Sequence, residues 1–185
     1  MRLFVALLPP KDVLAEIAEV FGPYRRQWTD LRWVPEDQWH VTLAFLGEVD
    51  DELLGPLERR LERAVARYEP VSVAFAGAGA FPSASRARVF WAGLDEGPDG
   101  RAPLWRLADS LVAAARRAGL EGEDRKRFHA HLTLARSRPE ADLRPLVEMT
   151  RSFAGRRWEA AAVHLVRSHP GPPVTYEPLV SWPLG

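Results

Sequence analysis

With 185 residues, 46% of them hydrophobic and 27% charged, the chain is long enough to bury about 70% of its unfolded surface and too apolar to be disordered. Lys+Arg and Asp+Glu both number 25, which excludes holding long nucleic acid by global charge alone. The lack of cysteine excludes disulfides, thiolate nucleophiles and Cys-ligated zinc.

In chain order, "RLFVALL" at 2–8 reads as a buried central strand stopped by Pro9-Pro10, too short and too soon charged for a signal peptide or membrane span. A cytoplasmic location is the expectation. Val13, Leu14, Ile17, Val20, Phe21 and Tyr24 recur at helical spacing, so 11–27 predicts an amphipathic helix that Gly22-Pro23 should bend or end. A short strand near 31–34 and a clear one at 39–46 follow. Asp50/Asp51 then open a helix whose Leu53, Leu54, Leu57, Leu61 and Val65 face inward. "VSVAFAGAGAF" and "ARVFWAGL" predict a hairpin about the turn at 82–85, and Pro103 starts a helix that runs to Gly119. Beyond a strand at 128–136, residues 139–150 read as helix, 158–167 as one extended segment and 174–182 as a terminal strand. Strands interleave with helices throughout. The expected fold class is α+β and bilobal: one domain over 1–185 of two pseudo-symmetric antiparallel-sheet lobes, with outer helices and a central cleft.

Two strands carry the same polar pattern. His40-Val41-Thr42-Leu43-Ala44 is answered by His131-Leu132-Thr133-Leu134-Ala135, identical at four of five positions. In a strand, i and i+2 share a face, so each copy presents an imidazole beside a hydroxyl and turns its apolar residues to the other side. With five histidines and five threonines, about 0.1 His-x-Thr pairs are expected by chance, so two followed by Leu-Ala are not coincidence. Paired imidazoles suit acid–base chemistry at neutral pH, one ring giving a proton and one taking it. The hydroxyls can donate to two non-bridging oxygens of a phosphate. Such a site needs no metal or cofactor. A zinc site built from His40, His129 and His131 is the competing arrangement, and it leaves both threonines and the duplication without a role. There is no G-x-S-x-G elbow, and "GAGAF" lacks the lysine and helix start of a P-loop.

Two H-x-T-L strands about ninety residues apart, behind an opening "RLFVAL", resemble the 2H phosphoesterase superfamily, in particular the bacterial and archaeal RNA 2′,3′-cyclic phosphodiesterases also called 2′-5′ RNA ligases. The closing "LVRSHPGPPVTYEPLVSWPL", with Ser168 and Tyr176, is similar too. The resemblance implies a bilobal α+β fold around a water-filled cleft, and metal-independent hydrolysis of a terminal 2′,3′-cyclic phosphate to a 2′-phosphate. It implies an RNA end as partner, without membrane or obligate protein partner. It further implies His131 as base, His40 as acid, Thr42 and Thr133 on the phosphate, Arg136 on phosphate or base, and Phe45 near the nucleobase. Reversible 2′-5′ ligation and a non-catalytic RNA-end binding module are the alternatives. Strict alternation turns Phe45 and Arg136 away from the histidine face, so they reach the cleft only if the strands end or twist there. Family members often carry proline before the second histidine; here it is Ala130, which bears on loop rigidity alone.

Overall fold

The computed structural model describes residues 1–97, 104–121 and 127–185. β1 (Arg2–Leu7) is buried on both faces, as an apolar run without alternation requires. Leu3, Val5 and Leu7 enter the main core, while Phe4 and Ala6 form a small separate cluster with Val166 and Tyr176. α1 (Lys11–Gln27) buries Val13, Ile17 and Phe21 and continues through Gly22-Pro23 without ending there. The packed stripe outweighs the missing N–H of one proline. β2 is Arg32–Trp33, β3 Val41–Glu48, α2 Asp51–Val65, β4 Val71–Phe81 and β5 Ala87–Asp95. α3 is Leu104–Arg117; the start expected at Pro103 lies outside the described residues. It ends at Gly119, whose φ of +97° lets Leu120 N–H reach the Ala115 carbonyl at 3.2 Å.

β6 is His131–Ala141, α4 Arg144–Thr150, β7 Ala154–Ala160, β8 Ala162–His169 and β9 Thr175–Pro183. Two boundaries differ from expectation. The stretch 139–150 is helical only from Arg144, because Ala141 still pairs with Ala87 and Glu140 accepts ion pairs from Arg86 and Arg88. The segment 158–167 is not one strand: it breaks at Ala161, whose carbonyl is bonded by Leu184 N–H at 2.9 Å, and the chain crosses there from one end of the sheet to the other. A run of three alanines carries no turn signal.

Every strand pairing is antiparallel, in the order β7-β4-β5-β6-β3-β1-β8-β9, with β2 also on β6. Read outward from the middle, two four-stranded halves appear, β3-β1-β8-β9 and β6-β5-β4-β7. The motif strands β3 and β6 meet at the centre, joined by one bridge, Val41 to Leu132. Each half repeats strand, helix, motif strand, helix, but the first helix of each is exchanged. α1 follows β1 yet packs on β7, with Phe21 6.1 Å from Phe90 of β5; α3 follows β5 yet packs on β3 and α2. The four α-helices among the described residues lie behind the sheet, and the polar motif face is left open in front. No helix among the described residues is long and apolar enough to cross a membrane.

Candidate active site

The bridge that joins the halves also sets the register of the motifs. Val41 and Leu132 are fully buried on the helix side, so the residues flanking them turn to the front. In the antiparallel register of that pair, position 40 falls across from 133 and 42 across from 131. Each histidine therefore has its own threonine two residues on and the other threonine across the junction. The four groups form a two-by-two array.

The same irregularity follows in both strands. On β3, Thr42 pairs with Ala6 but Ala44 with Val5, so Leu43 is an extra residue; on β6, Thr133 pairs with Trp91 but Ala135 with Phe90, so Leu134 is the extra one. A bulge shifts the alternation by one. Phe45 thereby comes opposite Phe4, and Arg136 opposite Val89, on the face of the histidines and threonines. Strict alternation fails at the duplicated leucine, which is why both outlying candidates reach the cleft. Phe45 is 67% exposed, as a ring awaiting a partner is, and not as a core residue is.

Each histidine is oriented by the backbone carbonyl two residues before it. His40 Nδ1–H donates to Gln38 O at 2.7 Å and His131 Nδ1–H to His129 O at 2.6 Å. A carbonyl only accepts, so the proton of each neutral ring sits on Nδ1 and Nε2 keeps a lone pair. His40 Nε2 lies 3.0 Å from Thr42 Oγ1, whose hydroxyl donates to it. Burial holds both histidines below the ordinary 6.5; the carbonyl bonds oppose this, and the neighbouring charges, Arg136 in both cases, add to it. At neutral pH the pair is uncharged.

Aromatic walls close each end of the array. On the first half, Phe4 lies 4.7 Å from the His40 ring and Tyr176 meets it edge-on at 5.2 Å. On the second, Phe81 meets His131 edge-on at 5.0 Å, with Trp91 at 6.1 Å. The Trp91 indole lies over Gly79, where a Cβ would fall 2.4 Å from the ring. The Gln38 side-chain amide donates to Val174 O at 2.7 Å, tying the His40 carbonyl support to the chain just before Tyr176. Ser168 pairs with Arg2 on one side and Tyr176 on the other.

All six sequence candidates, His40, Thr42, Phe45, His131, Thr133 and Arg136, thus share one face. The three-histidine arrangement is not assembled: His129 and His131 stack with centroids 6.1 Å apart, and no three metal-binding side chains converge among the described residues. Sequence reasoning missed Phe4, Phe81, Trp91 and the carbonyls of Gln38 and His129.

Residues 7–91 match the family described as LigT like Phosphoesterase. An RNA 2′,3′-cyclic phosphodiesterase of Archaeoglobus fulgidus is 36% identical over 139 residues, 74% of this chain and 72% of the relative. A protein of the same name from Geobacillus stearothermophilus is 31% identical over 182 residues, 98% of this chain but 56% of its own length. Among solved structures, TT0787 of Thermus thermophilus superposes with a TM-score of 0.79 at 30% identity, covering 100% of this chain and 98% of that one.

Proposed function

The chain belongs to the LigT-like phosphoesterase family, and from that premise we propose that it opens the 2′,3′-cyclic phosphate at an RNA terminus, without a metal, to leave a 2′-phosphate. The names of its relatives support the substrate class. The observation that carries the mechanism is the paired carbonyl lock, which turns both Nε2 atoms to the front of the sheet.

His131 Nε2, with no protein partner among the described residues, takes a proton from water as the oxygen forms its bond to phosphorus. The bond from phosphorus to the 3′ oxygen breaks, and His40 returns a proton to that oxygen from Nε2. The Thr42 contact supports this order. When His40 is protonated, Nε2 no longer accepts from Thr42, so the Thr42 hydroxyl is freed to donate to a phosphoryl oxygen while Nε2–H turns to the 3′ oxygen. Thr133, across from His40, supplies the second donor where negative charge grows. An anionic phosphate beside the rings raises their proton affinity against the effect of burial, so His40 charges as substrate enters. Phe45, exposed beside Phe4, offers a face to the terminal base.

Incubation with an RNA ending in a 2′,3′-cyclic phosphate, in EDTA, should give only 2′-phosphate ends. Turnover lost in EDTA and restored by zinc would reject the metal-free mechanism, and 3′-phosphate products would reverse the acid and base. Binding without turnover would make the site a recognition module.

A further inference from the structure

We propose that Arg32 and Arg136 together form a site for a second phosphate of the RNA backbone, the phosphodiester next to the reacting one. The inference rests on the RNA-end substrate proposed above and adds a residue, Arg32, that lies outside both motifs.

The two arginines are direct cross-strand partners, with Trp33 paired to Ala135 beside them. Paired residues on antiparallel strands share a face. Trp33 and Ala135 turn to the core, Trp33 edge-on to Phe90 at 6.1 Å and Ala135 fully buried, so both guanidinium stems rise on the cleft side. Both arginines are exposed. Among the described residues neither makes an ion pair or hydrogen bond. Like charges set directly opposite in a sheet oppose folding, and the other edge of β6 shows the usual remedy: Arg86 at 2.9 Å and Arg88 at 3.2 Å flank Glu140. Among the described residues no carboxylate performs that service for Arg32 and Arg136. An external anion does, and two planar forks side by side suit phosphate oxygens better than any single cation.

Position selects which phosphate. Arg136 lies three residues beyond Thr133, about 10 Å along the strand at the usual rise, less what the bulge removes. That places the pair beyond the threonines and toward the next backbone phosphate. The chain's net charge is zero, so RNA has to be gripped by such local pairs.

The test compares a short RNA ending in a 2′,3′-cyclic phosphate with a 2′,3′-cyclic mononucleotide, which lacks the second phosphate, in wild type, R32Q and R32K. The ratio of kcat/KM for oligomer over mononucleotide should fall roughly tenfold in R32Q and partly recover in R32K. Binding of a fluorescent RNA with a terminal 2′-phosphate, followed by anisotropy against salt, should lose about one unit of slope in R32Q. The unliganded melting temperature should rise as the repulsion goes. An unchanged ratio and salt slope, an equal loss on both substrates, or a lowered melting temperature would each overturn the assignment, the second by placing Arg32 on the reacting phosphate and the third by making it structural. Should the wild type turn over neither substrate, the proposed reaction fails, and the anisotropy measurement still decides the arginine pair.

Discussion

The two halves of the sheet match in the residues proposed for proton transfer and differ in the residues around them. Both motifs carry the His-x-Thr pair, the carbonyl lock on Nδ1 and the bulge at the leucine. Yet the position after the motif alanine is Phe45 on one half and Arg136 on the other. The row behind the threonine also differs: Ala6 with His164 on the first half, Trp91 with Gly79 on the second, large and small exchanged. The hydroxyl of Thr42 is engaged by its own histidine, and Thr133 has no such contact. A phosphate with two non-bridging oxygens matches the shared part. An RNA terminus, which has a base on one side and a charged backbone on the other, matches the unshared part.

The largest break in the comparison comes from the rings. His40→Ala and His131→Ala should each lower kcat on a cyclic-phosphate RNA by roughly 10²–10⁴-fold, and the double variant should lose less than the product, because the rings act in one step. Steady-state rates on folded protein check this, and near wild-type rates in both single variants would make the repeat structural. The threonines come next. Thr133→Val should cost roughly 10²-fold in kcat while leaving the pH profile in place. Thr42→Val should cost a similar factor and also move the limb belonging to His40, since it removes that ring's hydroxyl partner; identical profiles in the two variants would mean that the asymmetry has no chemical weight.

Gly79→Ala tests the exchanged row. Its Cβ would overlap the Trp91 indole, so we expect a loss of about 1–3 kcal/mol by chemical denaturation and a weaker second wall, whereas Ala6→Gly leaves the indole in place. A neutral Gly79→Ala would show that Trp91 has room to move. The smallest effect is in pH. Burial holds His40, His129, His131 and His164 below 6.5, so between those lowered values and 6.5 the unfolded chain binds more protons than the folded one. Stability should therefore rise with pH through that window and fall as acid is added. For the same reason the one-proton state of the pair should be most populated below 6.5, which places the bell of kcat/KM there. A maximum well above 6.5, or a melting temperature flat across the window, would contradict the burial of the rings.

Much of this was legible from the chain. The apolar runs, the helical periodicities and the duplicated motif all have one-dimensional signatures, and the residues sharing a strand face follow from period two. What escaped depends on pairing. The bulges at Leu43 and Leu134 exist only against β1 and β5, and they alone bring Phe45 and Arg136 to the front. Arg32 looks like any solvated arginine until its partner across the ladder is known. The β7/β8 break sits in a run of alanines, where neither pattern nor turn chemistry marks it. Phe4 and Trp91 read as core because aromatic residues in strands usually are.

The exchanged helices and the outward strand order also dictate a sequence of assembly during synthesis. β1 leaves the ribosome before β3 and pairs with it soon after, but its other edge is closed only by β8, which follows some 155 residues later. Until then Phe4, Val5 and Ala6 lie in a strand with an open edge, the arrangement most prone to pair with a foreign chain. A product truncated before Ala162 keeps both motifs and is left permanently in that state.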